Sequence, residues 1–289
     1  MLYDLLIAPF AEFDFMRRAL VGTLALALSA GPVGVFLMLR RMSLIGDAMA
    51  HAILPGAAVG FILSGLSVFA MAAGGLVTGL VIALGAGLVA RSTQLKEDAS
   101  LAAFLLVSLA LGVTLISVSG TNIDLLHFLF GSVLAIENAT LVLVGAITSV
   151  TLVTLAIIYR PLVLECVDPG FLRSVSGAGA GVHAAFLSLV VLNLVGGFHA
   201  LGTLLAVGIV ILPAVIARFW ARDIGAMVLV AVAAGAVAGL AGLLISFHAG
   251  LPSGPAIILT LGALYAVSIL FGRVGGVVRQ VFPGRHLEA

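Results

Sequence analysis

Charged side chains are scarce in this chain of 289 residues: Asp, Glu, Lys and Arg together make up only 9% of it. Soluble globular domains carry roughly 25% charged residues and about 45–50% apolar residues. Here 63% of the residues are hydrophobic, and the mean hydropathy is +1.34. The composition excludes an ordinary soluble domain. It predicts an all-α, polytopic membrane protein with a single domain over residues 1–289.

Several functional motifs are also missing. The chain has no glycine-rich phosphate loop of the GxxxxGKS/T type, so it cannot hydrolyse ATP by that route. It has no HExxH zinc-protease motif, and no basic patch interleaved with aromatic residues, which argues against a nucleic-acid partner. Its one cysteine, Cys166, excludes an internal disulfide. Any chemistry must therefore rest on a few polar residues within apolar runs.

Apolar runs of about 20 residues are long enough to cross a bilayer. We count nine of them, with an eight-helix arrangement as the alternative if one run is broken. The segment 123–136 is too short and too punctuated to span, and we expect it to be interfacial or re-entrant. The predicted spans are 19–39, 44–64, 68–90, 99–119, 138–158, 182–200, 203–221, 224–246 and 254–272.

The positions of Lys and Arg set the predicted orientation, because cytoplasmic segments are enriched in these residues. Of the 13 basic residues, all but Arg17 and Arg18 fall at alternate ends of the spans, on the side assigned to the cytoplasm. The segment 1–16 is then outside, and its acidic residues precede the first basic pair, unlike a signal peptide. The loop 160–181 and the tail 273–289 are predicted to be cytoplasmic.

The loop 160–181 is the only sizeable polar insert between the predicted spans. Within it Asp168 precedes Pro169, an order that favours a helix start with Asp as the N-cap. A short amphipathic helix would follow on the cytoplasmic face. Two interpretations stay open: a loop anchored by two apolar side chains, or a docking helix for a soluble partner.

Asp47 and His51 are ionisable residues within an apolar run. Positions i and i+4 share one face of a helix, with Cβ atoms roughly 6 Å apart, so this carboxylate and this imidazole could ligate one divalent cation. An Asp at the centre of a spanning helix costs roughly 2.5–3.5 kcal/mol and therefore needs a partner or a water-filled cavity. The alternative is a structural Asp that caps the helix and a core His bonded to a nearby carbonyl.

Two ligands do not complete a metal site, so other helices or a second subunit must supply the rest. Pro55 and Gly56, one turn beyond His51, favour a local break of the helix, and broken helices line the pathway in many transporters.

Three further histidines, His127, His199 and His248, map to the outer ends of segments. They could form an outer relay for a metal ion, although interfacial histidines without any role are also common. We assign no role to His183 or His286.

The run 40–56, RRMSLIGDAMAHAILPG, resembles the signature of the zinc/manganese/iron permeases of ABC importers. The likeness continues in order over nearly the whole chain, in segments 96–101, 126–134, 167–171, 201–218 and 251–255. This resemblance implies a type II importer-like permease that forms a homodimer in the bacterial inner membrane. It also implies a cytoplasmic ABC ATPase that docks on a coupling helix between Asp168 and Gly177, and a periplasmic metal-binding protein.

By the same resemblance, Asp47 and His51 match the family's intramembrane metal-coordinating pair. The family often has Lys, Arg or Gln near the position of His199, and because imidazole suits zinc, this departure favours zinc over manganese or iron. The expected function is ATP-driven import of a divalent transition metal, with ATP hydrolysis in a separate chain and no cofactor of the permease's own. The alternative is an ATP-independent secondary transporter or channel. An intramembrane enzyme using Asp47 and His51 as acid and base would lack a nucleophile.

Overall fold

The computed structural model describes residues 3, 6–65, 67–94, 97–118, 136–168, 171–172, 177 and 179–278. All regular structure in these residues is helical, which confirms the all-α prediction. The helices are α1 (Ala8–Glu12), α2 (Asp14–Leu39), α3 (Ser43–Ala52), α4 (Leu54–Ser64), α5 (Val68–Ser92), α6 (Glu97–Val118), α7 (Asn138–Val167), α8 (Gly179–Leu201), α9 (Thr203–Trp220), α10 (Ile224–Ala249) and α11 (Ser253–Phe271).

Nine apolar helical segments lie at the nine predicted spans within the described residues, with α3 and α4 together forming the second. Seven are long and apolar enough to cross a membrane. The other two, in α6 and α9, contain the shorter apolar stretches Ala99–Leu115 and Leu204–Trp220. The interfacial segment predicted at 123–136 lies outside the described residues, apart from Ile136.

Two predicted boundaries are wrong. The first span begins at Asp14 rather than at residue 19, because Phe13 is extended and an acid is favoured in the first turn of a helix. Residues 14–16 of the predicted outer segment are therefore helical, and the position of this segment outside the membrane stays a prediction. The predicted loop 160–181 begins only at Asp168, because α7 continues through Pro161 to Val167. A proline removes a single helical hydrogen bond, and all residues from 162 to 167 except Glu165 are apolar.

Helices α2 and α8 form the centre of the protein. In the most apolar 18-residue stretch of each, 72% of the residues are buried, against 28–33% in α5, α7, α10 and α11. Helix α2 packs against α7, α8, α9 and α10, whereas α8 also packs against α5. The outer helices leave most of their apolar surface uncovered, as expected for a protein that contacts lipid.

Helix α2 ends in a tight turn that sets the direction of α3. The Met42 N–H donates to Leu37 O over 2.9 Å and the Arg41 N–H donates to Met38 O over 3.0 Å, the paired bonds of a Schellman motif. Arg41 has φ +58°, in the left-handed region that favours glycine. Met42, the next residue, is buried. The turn therefore holds Arg41, which has a long side chain, in a strained backbone conformation.

We expect Arg41→Gly to raise the thermal midpoint of unfolding, because glycine avoids a left-handed penalty of about 1 kcal/mol. Gly250→Ala is the matched opposite change: Gly250 ends α10 with φ +64°, and a Cβ there would meet no described residue within 4 Å. It should lower the midpoint by a similar amount. Tryptophan fluorescence of the purified protein in detergent measures both. An Arg41→Gly variant that melts earlier than the parent would contradict the assignment of strain.

Helices α4 and α5 approach each other so closely that their backbones touch. A Cβ built on Gly56 would lie 2.0 Å from Gly74 O, and one built on Gly74 would lie 2.1 Å from Gly56 O. One turn away, a Cβ on Gly60 would lie 2.5 Å from Ala70 O. The Gly56 and Gly60 spacing thus serves helix packing, as small residues four apart do in membrane proteins.

Candidate metal site

Helix α3, which is 10 residues long, carries both predicted metal ligands. Its inner side packs against α6, α8 and α9. The Ser108 hydroxyl on α6 donates to Ala52 O over 3.0 Å, and Met49 is fully buried. Gly46 lies against Ile211 of α9, where a Cβ would come within 3.3 Å of the Ile211 side chain. These contacts fix the rotation of α3, and with it the direction in which its other side points.

Asp47 and His51 lie on that other side. His51 Nε2 is 4.0 Å from Asp47 Oδ1. Two such atoms bound to one tetrahedral metal ion would be roughly 3.4 Å apart, so a small side-chain rotation closes the pair on an ion. The side chains are 68% (Asp47) and 37% (His51) exposed. Within the described chain neither makes a hydrogen bond, and α3 has no side-chain cap, so the structural alternative of a capping Asp finds no support.

The helix breaks directly after this pair, as the sequence suggested. Helix α3 ends at Ala52 and α4 begins at Leu54, with Pro55 in its first turn. Proline has no backbone N–H and cannot donate to the carbonyl of His51 four residues earlier. The Ile53 N–H still reaches Met49 O over 3.2 Å, so the two helices stay in register across the break. Helix α3 is thus a short helix that follows a tight turn and ends at a helix break.

Asp47 and His51 do not form a complete site on their own. In the part of the chain that the structure describes, no group of three or more His, Cys, Asp or Glu side chains could hold a metal ion. A divalent transition metal normally takes at least four ligands. A metal site built on this pair would need further ligands, from water or from outside the described residues of this one chain.

His199 lies near the end of α8, three residues before the Gly202 turn. Its Nδ1 is 2.9 Å from Val195 O, which can only accept, so Nδ1 carries a proton and Nε2 has the lone pair in the neutral ring. Nε2 is buried and has no hydrogen-bond partner among the described residues. The imidazole therefore has the chemistry of a ligand, but the structure does not group it with Asp47 and His51.

The rest of the predicted outer relay is not assembled in the described residues. His248 is exposed near the end of α10, with its ring edge-on to Phe247 at 5.3 Å between centroids. His127 falls outside the described residues. The relay stays a prediction.

The segment after α7 begins as the sequence predicted. The Phe171 N–H donates to Asp168 Oδ1 over 2.9 Å, the bond of an N-cap. Leu172 is buried, whereas Phe171 is 51% exposed. One apolar side chain therefore anchors the start of this segment, and another is presented on the surface. The rest of the segment, apart from Gly177, lies outside the described residues.

Sequence reasoning missed one polar cluster, formed by Arg40, Glu165 and His183. Arg40 Nη2 donates to Glu165 Oε1 over 3.3 Å and to His183 Nδ1. The side chains are 10%, 9% and 7% exposed, respectively. A sequence signal existed, because Glu165 is an acid within the apolar run 161–167, just as Asp47 is an acid within its own run.

Comparisons with known proteins agree with this architecture. Residues 12–272 match the ABC 3 transport family. The manganese import system permease protein ScaB of Streptococcus parasanguinis is 33% identical over 257 residues, which are 89% of this chain and 90% of that protein. The chelated iron transport system membrane protein YfeD of Yersinia pestis is 30% identical over 274 residues, 95% of this chain and 91% of that protein. A chain in the solved structure of PsaBC from Streptococcus pneumoniae in complex with Fab superposes with TM-score 0.84 at 29% identity, covering 97% of this chain and 100% of that chain.

These matches confirm the resemblance to metal permeases of ABC importers, and the rival interpretations as a secondary transporter, a channel or an intramembrane enzyme fall away. Zinc, favoured from the sequence, does not occur in the names of these relatives, which refer to manganese and iron. The chain belongs to the ABC 3 transport family and is a multi-pass bacterial membrane permease of an ABC importer for divalent metal, not itself a catalytic subunit.

Proposed function

We propose that this permease passes a divalent transition-metal ion into the cytoplasm and that Asp47 and His51 hold the ion in transit. The observation that carries the proposal is the pair itself, with 4.0 Å between its ligand atoms in a chain with only 9% charged residues. Ionisable groups within membrane segments usually mark ion pathways. Since neither side chain is engaged by hydrogen bonds in the described chain, both are available to a cargo ion.

The exposure of the pair supports a site shared by two copies of the chain. A carboxylate facing lipid would be costly, whereas a two-fold interface can set residues near its axis opposite the same residues of the second copy. Two copies would supply two carboxylates and two imidazoles, which is the four-ligand set that one chain lacks. An open apolar groove of about 430 Å³ between α4 and α5 begins at Pro55, just beyond His51, and offers the second copy an apolar surface.

Transport requires that the ion also leaves. Helix α3 lies between the strained turn at Arg41 and the break at Ile53. It is therefore a segment whose angle to α2 and α4 could change without unwinding either neighbour. Such a change would alter the separation of the two Asp47–His51 pairs and thus the number of ligands on the ion. We propose a transient site that opens with the transport cycle, rather than a closed static one.

We further propose that the ATPase subunit docks on the segment between Asp168 and Gly177 and that a metal-binding protein delivers the ion on the opposite side. The capped start of this segment and the exposed ring of Phe171 support the docking role. An apolar side chain presented at the start of a capped segment suits insertion into a groove of a soluble partner.

Manganese is the first cargo that we propose, ahead of iron and zinc. The names of the relatives support this order, and so do the two carboxylates of the shared site, because oxygen ligands suit manganese. The preference for zinc rested on His199, which is not grouped with the pair in the described residues.

Uptake by the reconstituted complex tests the proposal. The permease, its ATPase and its binding protein are placed in vesicles, and uptake of manganese, iron and zinc is compared with and without ATP. We expect ATP-dependent uptake, greatest for manganese. Zinc-selective uptake would reinstate the expectation drawn from His199. Equal uptake by vesicles that lack the ATPase would contradict the proposed import cycle.

A further inference from the structure

We infer that Arg40, Glu165 and His183, which we call the junction triad, link the segment that docks the ATPase to the helix that carries the metal ligands. They would act as positioning residues for Asp47 and His51. This inference rests on the proposed function of both segments. The inference extends the proposed function by naming the side chains that transmit motion from the docking segment to α3.

The triad joins three places in the chain that matter for transport. Arg40 is the last residue before the turn at Arg41, and α3 with its metal ligands follows directly. Glu165 lies three residues before Asp168, at the end of α7. His183 lies in the second turn of α8, shortly after Gly177. The Arg40 guanidinium thus bonds to one residue on each side of the proposed docking segment, and Arg40 itself lies just before α3.

The contacts of Arg40 fix it in direction as well as in position. It donates to Glu165 and to His183, and its guanidinium carbon lies 5.1 Å from the centre of the Phe186 ring. Phe36 packs edge-on against Phe186, with 6.3 Å between ring centroids. Hydrogen bonds to a charged group are directional and stronger than neutral ones. Displacement of the ends of α7 or α8 would therefore pull on Arg40, whereas purely apolar contacts could slide.

The triad also retains the means to change its bonds. Arg40 Nη1 and Glu165 Oε2 are buried and have no hydrogen-bond partner among the described residues. A guanidinium and a carboxylate can form two parallel bonds, but here only one is made, with His183 sharing the same nitrogen. A small shift could therefore exchange the contact with His183 for a second bond to Glu165. That gives the junction two discrete arrangements, as a switching element requires.

A second metal site is not a competing explanation. Glu165 and His183 resemble the Asp47 and His51 pair, with His183 Nδ1 3.8 Å from Glu165 Oε1. However, the Arg40 guanidinium bonds both groups and already supplies the positive charge between them. A cargo cation would have to displace a buried arginine, so the triad is better suited to mechanical linkage than to ion binding.

The number of ions taken up per ATP hydrolysed, in the reconstituted complex, tests this inference. Two variants are compared with the parent: Arg40→Gln, and a combined apolar variant with Arg40→Met, Glu165→Met and His183→Phe. The apolar variant leaves no buried charge unpaired, and such replacements are often tolerated by the fold. We expect the apolar variant to assemble at the parental level and Arg40→Gln at a lower yield, and both to hydrolyse ATP with maximal uptake per ATP lowered about tenfold. The concentration of metal-loaded binding protein that gives half-maximal uptake should not change.

Arg160→Gln is the matched control, because it removes the same charge from an exposed position on α7 and should keep the parental ratio. Triad variants that keep this ratio would overturn the inference, and so would failure of both variants to assemble, since the triad would then be purely structural. Failure of the proposed function would be recognised differently. The parent complex would take up no metal with ATP, or variants with Asp47 and His51 replaced would transport normally.

Discussion

Asp47→Asn and His51→Gln are each expected to abolish ATP-dependent metal uptake while leaving the protein folded and assembled. Changes in groups that merely orient a metal ligand cost roughly 10–100-fold in metal affinity, and loss of the ligand itself should cost at least as much. In a symmetric pair of subunits one substitution removes two ligands. The fold should survive, because Asp47 is 68% exposed and makes no hydrogen bond within the described chain.

Uptake in vesicles measures the first effect, and yield and elution from size-exclusion chromatography measure the second. Asp223→Asn is a matched control: Asp223 is exposed, and asparagine can still accept the N-cap bond that the Ala226 N–H donates to Asp223 Oδ1 over 2.8 Å. This control should transport like the parent. Normal uptake by both the Asp47 and the His51 variant would remove the pair from the pathway.

Gly56→Ala is expected to produce the largest loss of stability of any single methyl addition to α4. The new Cβ would lie 2.0 Å from Gly74 O and 2.1 Å from Thr78 Oγ1. Overpacking usually costs about 1–3 kcal/mol. Here the nearest obstacle is the backbone of α5, which cannot rotate away as a side chain can. Helices α4 and α5 would have to separate. Total uptake should then fall in proportion to the amount of folded protein.

Thermal unfolding in detergent and the yield of folded protein measure this effect. Gly145→Ala is the matched control, since Gly145 lies within α7 and a Cβ there would meet no described residue within 4 Å. It should be neutral or slightly stabilising, because alanine favours helix by up to about 1 kcal/mol over glycine. Equal midpoints for Gly56→Ala and the parent would show that the two helices are not held at the distance described.

Hydrophobic run length predicts much of this fold, because a spanning helix must be apolar over nearly its full length. The predicted span 224–246 and helix α10 (Ile224–Ala249) agree closely, and Asp223 caps that helix. Helix ends are harder to predict. The predicted fifth span ends at residue 158, yet α7 continues through Pro161 to Val167, because most of the residues after this proline are apolar and can extend the helix.

The candidate site is also predictable from the sequence only in part. Asp47 and His51 are one helical turn apart, so a sequence pattern suffices to bring them together. Their exposure on the surface of the chain depends on how α3 packs against α6 and α9, which no local pattern contains. The junction triad is harder still, because Arg40 meets residues that are 125 and 143 positions away. Contacts of that range follow from the arrangement of whole helices.

That separation also has a consequence for biogenesis. A ribosome adds about 5–20 residues per second, so Arg40 emerges roughly 6–25 s before Glu165, which is 125 residues later. During this interval Arg40 lacks the carboxylate that it bonds in the folded chain. Arg40 lies at the end of α2, so its long side chain can extend to the lipid headgroups during this time. The junction triad can therefore form only after α7 and α8 have been inserted, which makes it a late step in the maturation of the newly synthesised chain.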